Sequence, residues 1–274
     1  MLDSPTSKLW SRMGVVNMDD PASVIMATSS PAPIVSYGLD NEADVRAEHL
    51  ELGMAGSRFR LITPVEEADV QTRLVGRHNV SNWLAAAAVA LGWGIDLAAV
   101  VEAAASVEAP PGRMQRVRCG QPFEVIVDFA HTPQAFAATL AALEPLREGR
   151  LYAVFGMAGG RYEGNRPRMG ELAARHTDFF ILSTDDPLYE DPAAIASEIA
   201  AGALAAGATE GSDFVVEVDR RAAIAMLLQR AGPGDIVLLA AKGHEERQMV
   251  GDRAEPWSDV GVATELLGEL GYRL

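Results

Sequence analysis

At 274 residues the chain is long enough for one large domain or two ordinary ones, and 49 % hydrophobic against 22 % charged residues can bury a real core. A formal net charge of −15 argues against a phosphate-backbone partner, because nucleic-acid binders concentrate Lys and Arg. The single cysteine, Cys119, excludes an internal disulfide and fits a reducing compartment.

The opening stretch MLDSPTSKLW lacks the basic region followed by an apolar one that marks a signal peptide. No later apolar run approaches the ~20 residues of a membrane span. A soluble cytoplasmic protein, touching neither membrane nor nucleic acid, is therefore expected. GVVNMDDPASV and PIVSYGLD read as strand ends, and SRFRLITP with VQTRLVG as a polar/apolar antiparallel pair. VSNWLAAAAVALGWG is a strong helix, followed by another through AAVVEAAASV. In EAPPGRM a helix stops, two prolines follow and a glycine closes the stretch, which places a domain boundary near residue 109, with domains 1–108 and 109–274. No internal repeat or low-complexity segment is present.

From residue 124 the chain alternates. EVIVDFA, LYAVFGM, DFFILST, DFVVEV and DIVLLAA are short apolar runs rich in β-branched or aromatic residues. Between them RPRMGELAARH and DPAAIASEIAAGALAAG space apolar residues at helical intervals. Pro133, Pro167 and Pro192 sit near helix starts, where a missing N–H costs nothing. Strand–helix alternation with non-alternating apolar strands predicts an α/β fold with a mostly parallel sheet covered on both faces.

In open parallel sheets, ligands bind beyond the carboxyl ends of the strands. After EVIVDFA comes His131, with Asp128 just before it. After LYAVFG comes the glycine-rich MAGGRYEGNR with Arg161 and Arg166. After FFILST comes DDPLYEDP, and after DIVLLAA comes KGHEER with Lys242 and Glu245. Each has a plain alternative. Glycines after a strand often only let the chain turn, a lone histidine is more often packed than catalytic, and Glu190 or Asp191 can cap the next helix. Four such loops converging on one rim nevertheless point to a site, with the arginine-bearing glycine loop suited to a carboxylate or phosphate. His49 and His176 have no such company. In the first region GRHNVSNWLAAAA puts Asn79 and Asn82 three apart at a helix start. One of them suits an N-cap; two amides on one face can read the edge of a base such as adenine.

Taken together, GRHNVSNWLAAAAVALGWGID, PPGRMQRV, VIVDFAHTPQAF, VFGMAGGRYEGNRPRMGELAA, DDPLYEDP and LLAAKGHEERQMVG resemble the Mur ligases in order and spacing, closest to the MurE type, with folylpolyglutamate synthases more distant. The resemblance runs over essentially the whole chain. It implies the C-terminal part of an α/β ATPase domain over 1–108, then a Rossmann-like C-terminal domain over 109–274. It further implies an ATP-dependent amide ligase of peptidoglycan synthesis that adds an amino acid to UDP-MurNAc-L-Ala-D-Glu through an acyl phosphate, with Mg²⁺ as a family cofactor. By motif, Asn79 and Asn82 would contact adenine, and Arg113 and Asp128 the ribose and phosphates, with His131 beside them. Arg161, Asp185, Asp186, Lys242 and Glu245 fall at the amino-acid site, the acids facing its amines.

The chain also departs from that family. G-x-x-x-x-G-K-[ST], the loop that cradles phosphates, occurs nowhere in the 274 residues. The expected magnesium ligands are largely missing too, which leaves room for a second chain carrying the first half. The family's modified lysine falls at Thr6, with Lys8 nearby, four residues before the aromatic matched by Trp10. D-N-P-R, found where diaminopimelate is chosen, reads Asp185, Asp186, Pro187, Leu188. A glycine is replaced by Ala241 and a tyrosine by Phe129. Two readings follow: a ligase needing its first half, or a non-catalytic nucleotide- or amino-acid-binding remnant. Without an arginine at 188, a basic or neutral acceptor is expected over diaminopimelate, with Arg166 or Arg168 as the candidate replacement cations.

Overall fold

A computed structural model describes residues 12–273, so Thr6, Lys8 and Trp10 lie outside the described residues. The chain divides into two compact units, Met1–Glu108 and Ala109–Leu274.

The first unit contains β1 (Gly14–Asn17), α1 (Pro21–Ser29), β2 (Ile34–Gly38), β3 (Val45–Gly53), β4 (Gly56–Ile62), β5 (Glu67–Thr72), α2 (Arg77–Gly92) and α3 (Leu97–Ser106). The five strands form one sheet in the order β1-β2-β3-β4-β5. β1–β2 and β2–β3 run parallel, β3–β4 and β4–β5 antiparallel. The expected antiparallel pair is present, but β5 ends at Thr72, so the strand covers only the first part of VQTRLVG. Sequence reading missed β3, whose polar residues Arg46, Glu48 and Glu51 hide the period of two and whose register shifts between Glu48 and Glu51. In β4, Ser57, Phe59 and Leu61 point inward while the guanidinium of Arg60 pairs outward with Glu67 and Asp69. Buried Val80, Trp83, Leu84, Ala87 and Ala88 recur at helical spacing along α2. Trp83 meets Phe59 edge to face at 5.4 Å, a pairing worth about 1 kcal/mol beyond its burial.

The second unit contains β6 (Gln115–Val117), β7 (Glu124–Asp128), α4 (Pro133–Leu143), β8 (Leu151–Phe155), α5 (Arg166–His176), β9 (Phe179–Leu182) and α6 (Pro192–Ala205). It continues with β10 (Phe214–Val216), α7 (Arg220–Arg230), β11 (Ile236–Ala240), the hairpin β12 (Arg247–Val250) and β13 (Arg253–Pro256), and α8 (Asp259–Glu269). Six strands form a sheet in the order β10-β9-β8-β11-β7-β6, parallel throughout except for edge strand β6, which runs against β7. The mixed α/β architecture with parallel strands agrees with the expected class. β6 was not foreseen, because three residues are too few to show a period.

Both faces are covered. Val125, Val127, Tyr152, Val154, Ile181, Val237 and Leu239 pack on α7 and α8 through Ile224, Leu227 and Leu267. On the other face a file of rings, Phe136–Phe155–Phe180–Phe214, crosses from α4 over β8 and β9 to β10 at centroid spacings of 4.8, 6.0 and 5.1 Å. Caps start the helices as the prolines suggested. Thr132 accepts from Ala135 N ahead of Pro133, and Asp191 from Ala193 N ahead of Pro192. The chain leaves β8 toward β9, whereas after β11 it passes through the β12–β13 hairpin to α8, which packs on the β7 side. The reversal of winding therefore falls between neighbouring strands β8 and β11, where such sheets open a crevice. Among the described residues no helix is long and apolar enough to cross a membrane.

Candidate functional site

The loops after β7, β8, β9 and β11 all leave the carboxyl edge of this sheet, flanking the reversal. Asp128 ends β7 and is buried. Its Oδ2 accepts from Met114 N at 2.7 Å, and its Oδ1 from Ala130 N at 3.0 Å and Thr139 Oγ1 at 3.1 Å. Both oxygens thus serve the fold, fixing the residues before β6 and the turn that leads to His131. A carboxylate oxygen can accept more than one bond, and Oδ2 accepts only from Met114 N among the described residues, so a further contact would leave these bonds in place. Beside Asp128 the loop presents a stacked group. The Arg113 guanidinium lies over the Phe129 ring at 4.7 Å, and the rings of His131 and His244 lie 4.4 and 5.0 Å from it. His131 Nδ1 is held by its bond with Phe129 O at 2.8 Å. Close approach of backbones makes the stack possible. A Cβ on Gly112 would come within 2.0 Å of His244 N, and one on Gly243 within 2.6 Å of Phe129 Cβ.

The loops after β9 and β11 meet through Lys242. This side chain is fully buried, and its Nζ stands 2.7 Å from Asp186 Oδ1, 2.7 Å from Glu245 Oε2 and 3.5 Å from Asp185 Oδ1. Burial alone would lower the lysine's pKa, but the three carboxylates outweigh it and hold the ammonium above its ordinary value. Asp185 responds in the opposite sense: burial pushes it up to about 6, with Lys242 and Arg220 pulling down and Asp186 and Glu245 adding to the rise. Its Oδ1 is buried without a hydrogen bond. Asp185, Asp186 and Glu245 are close enough together to ligate a metal, but the lysine ammonium already stands among them. The trio is a lysine cage.

Around the cage the backbone is clasped to the β12–β13 hairpin. Met249 N donates to Asp186 Oδ1 at 2.9 Å, Gln248 Nε2 to Asp185 O at 2.8 Å, Leu188 N to Met249 O at 3.1 Å and Gly251 N to Leu188 O at 2.6 Å. Leu188 is held in the left-handed region, at φ 53°.

In the glycine-rich loop the two arginines separate. Arg166 is buried and ion-paired with Glu190 and Glu198, each at 2.9 Å. Glu190 also accepts from Gly160 N, and these two donors hold its carboxyl below the usual range. Arg168 pairs with Glu171 at 2.5 Å. Neither expected replacement cation is therefore unengaged: both already carry acids of their own. Arg161 is exposed and makes no ion pair among the described residues.

In the first unit the asparagines also separate. The cap of α2 is Gly76, at φ 92°, so neither asparagine is the N-cap. Asn79 is buried, its Nδ2 donating to Val75 O at 2.8 Å, while Asn82 lies exposed one turn on and reaches Asn79 Oδ1 only at 3.5 Å. The two amides do not form one open face. Among the described residues the His49 side chain makes no hydrogen bond or ion pair, and His176 faces Glu144 at 3.5 Å. Arg220 and Asp259, behind the cage, escaped sequence reading because a buried ion pair between distant helices has no local signature.

Residues 6–90 match the Mur ligase middle domain, and residues 112–243 match the Mur ligase glutamate ligase domain. The chain belongs to the Mur ligases. It is 44 % identical over 263 residues to the UDP-N-acetylmuramyl-tripeptide synthetase of Roseiflexus sp. (strain RS-1), covering 95 % of this chain and 52 % of that one. It is 40 % identical over 253 residues to the UDP-N-acetylmuramoyl-L-alanyl-D-glutamate–2,6-diaminopimelate ligase of Syntrophomonas wolfei subsp. wolfei, covering 92 % and 51 %. A solved UDP-N-acetylmuramoyl-L-alanyl-D-glutamate–2,6-diaminopimelate ligase superposes with a TM-score of 0.64 at 32 % identity, covering 95 % of this chain and 54 % of the other. The chain spans about half the length of the curated relatives it matches. This Mur ligase chain is similar to MurE-type ligases throughout its two units.

Proposed function

We propose that this Mur ligase chain forms the acceptor-binding part of an ATP-dependent amide ligase, which joins an amino acid to UDP-MurNAc-L-Ala-D-Glu. The observation that carries the reading is the convergence of the four post-strand loops at the sheet's reversal point, with the Lys242 cage at its centre. Mur ligases use ATP and magnesium. ATP supplies activation of the dipeptide carboxylate as an acyl phosphate. In the second unit the groups that fit a nucleotide are the exposed Arg113 on Phe129, the neighbouring His131 and Asp128; separately, in the first unit, the family motif assigns an adenine contact to the exposed Asn82. Magnesium does not fit the Asp185–Asp186–Glu245 trio, which the lysine fills.

The acceptor is a basic or neutral amino acid in preference to diaminopimelate. Three carboxylates against one ammonium leave the cage negative when all are ionised, which suits a cationic side chain. By the family motif Arg161, which is exposed, is the group assigned to an α-carboxylate. A second carboxylate would face Leu188, and a buried carboxylate without a partner is costly. Retention of Arg161, Asp186, Lys242 and Glu245 favours a ligase over a non-catalytic remnant.

The test joins this chain to the phosphate-loop half of the Roseiflexus relative, which supports the alignment at 44 % identity. The joined protein is given ATP, magnesium, UDP-MurNAc-L-Ala-D-Glu and single amino acids, with product identified by mass. Amide product is expected. Its absence with every amino acid, while the intact Roseiflexus enzyme turns over, sinks the reading.

A further inference from the structure

Two non-glycine residues sit in the left-handed region beside the cage: Leu188 at φ 53° and Ala241 at φ 87°. Such positions persist where surrounding contacts over-determine them. One side chain from outside both loops grips both. Arg220, the first residue of α7, is set there by the Asp219 cap, which accepts from Arg221 N and Ala222 N. Its Nη2 donates to Ala240 O at 2.8 Å, and its Nη1 to Thr184 O at 3.3 Å. The rest of the guanidinium is fixed by Asp259, with Nε to Oδ1 at 2.8 Å and Nη2 to Oδ2 at 2.7 Å. Asp259 is itself held by Trp257 Nε1 at 2.8 Å, and both partners of the ion pair are fully buried.

The two gripped carbonyls belong to the residue just before Asp185–Asp186 and the residue just before Ala241–Lys242. A planar fork can satisfy two carbonyls and a carboxylate at once, which a lysine's point charge cannot. We infer that Arg220 is a positioning residue of the acceptor site, holding the β9 and β11 loops in the register that brings Lys242 among Asp185, Asp186 and Glu245. The inference deepens the ligase reading and rests on it. Arg220 also acts across space. Its charge opposes the burial of the Asp185 carboxylate alongside Lys242, while Asp186 and Glu245 work the other way.

Removing Arg220 alone would leave Asp259 buried and unpaired, so the variant is the double change Arg220→Met with Asp259→Asn. Arg220→Lys keeps the charge without the fork, and Trp257→Phe disturbs the same network without touching either carbonyl. In the labelled 274-residue chain, amide resonances of residues 184–188 and 240–245 and the Asp185 carboxyl titration are followed by NMR. In the joined ligase, KM is measured for the amino acid and for ATP. The double variant is expected to move both sets of resonances, raise the Asp185 pKa and raise the amino-acid KM about tenfold, with KM for ATP within about twofold. Arg220→Lys falls between, and Trp257→Phe lowers Tm while leaving the loops and both KM values in place. Unmoved loops in a folded double variant overturn the inference, as does an equal rise in both KM values. A parent ligase that makes no amide overturns the ligase reading and the acceptor role with it, whereas loops that stay put refute the positioning itself.

Discussion

Asp185→Asn isolates the proton chemistry of the lysine cage. The parent carboxyl titrates at about 6 in the fold against 3.8 in an unconstrained chain, because burial disfavours its charge more than Lys242 and Arg220 favour it. Between those values the folded state holds a proton that the unfolded state has lost, so stability falls as pH rises, and the loss is complete above the folded pKa. Each pH unit of displacement corresponds to about 1.4 kcal/mol, which gives about 3 kcal/mol for this group, and less where water enters as the carboxylate ionises. Asparagine does not titrate. Urea unfolding of parent and variant from pH 4.5 to 7.5 should show the parent losing about 2 kcal/mol relative to Asp185→Asn, chiefly below pH 6.5. A difference that is flat across this range, or that favours the parent as pH rises, refutes the assignment of the shift to burial.

Leu188→Arg in the joined ligase should move the ratio of kcat/KM for diaminopimelate over lysine upward by about tenfold, about 1.4 kcal/mol in the transition state; an unchanged ratio returns the search for a distal cation to exposed Arg247 on β12. Asn82→Ala should weaken adenosine-nucleotide binding measured by calorimetry, whereas Asn79→Ala should lower stability by about 1 kcal/mol through loss of its bond to Val75 O; equal affinity after Asn82→Ala removes that residue from the site. Ala241→Gly should raise stability by about 1 kcal/mol, because φ 87° strains a residue bearing a Cβ; a lower denaturation midpoint would show that the strain argument fails.

What the sequence disclosed is what local pattern can carry. β7, β8, β9 and β11 are continuous apolar runs, and their following loops hold the residue types that chemistry needs, so the rim was readable before any coordinate. The partners of those residues were not. Lys242 and Asp186 are far apart in sequence, and nothing local says that the lysine satisfies the acids that seemed open to a substrate amine. The same blindness covers Arg166, whose engagement with Glu190 and Glu198 depends on α5 lying beside α6. Asn79 misled for a different reason: the helix begins at Arg77, a turn earlier than its apolar pattern, which carries that amide inside.

Scaffold and choice are divided at the cage between adjacent residues. Asp186 accepts from Lys242 and from Met249 N through one carboxylate oxygen, so replacing it loosens both the cage and the hairpin. Leu188, two residues on and half-buried, makes its hydrogen bonds through its backbone, with Met249 O and Gly251 N. The left-handed φ there strains any residue with a Cβ to a similar degree, so an arginine suffers no more than a leucine. Position 188 can therefore change the charge offered to an acceptor without changing the fold that offers it. That is why Leu188→Arg, rather than any exchange at Asp185, Asp186 or Glu245, separates acceptor preference from integrity of the site.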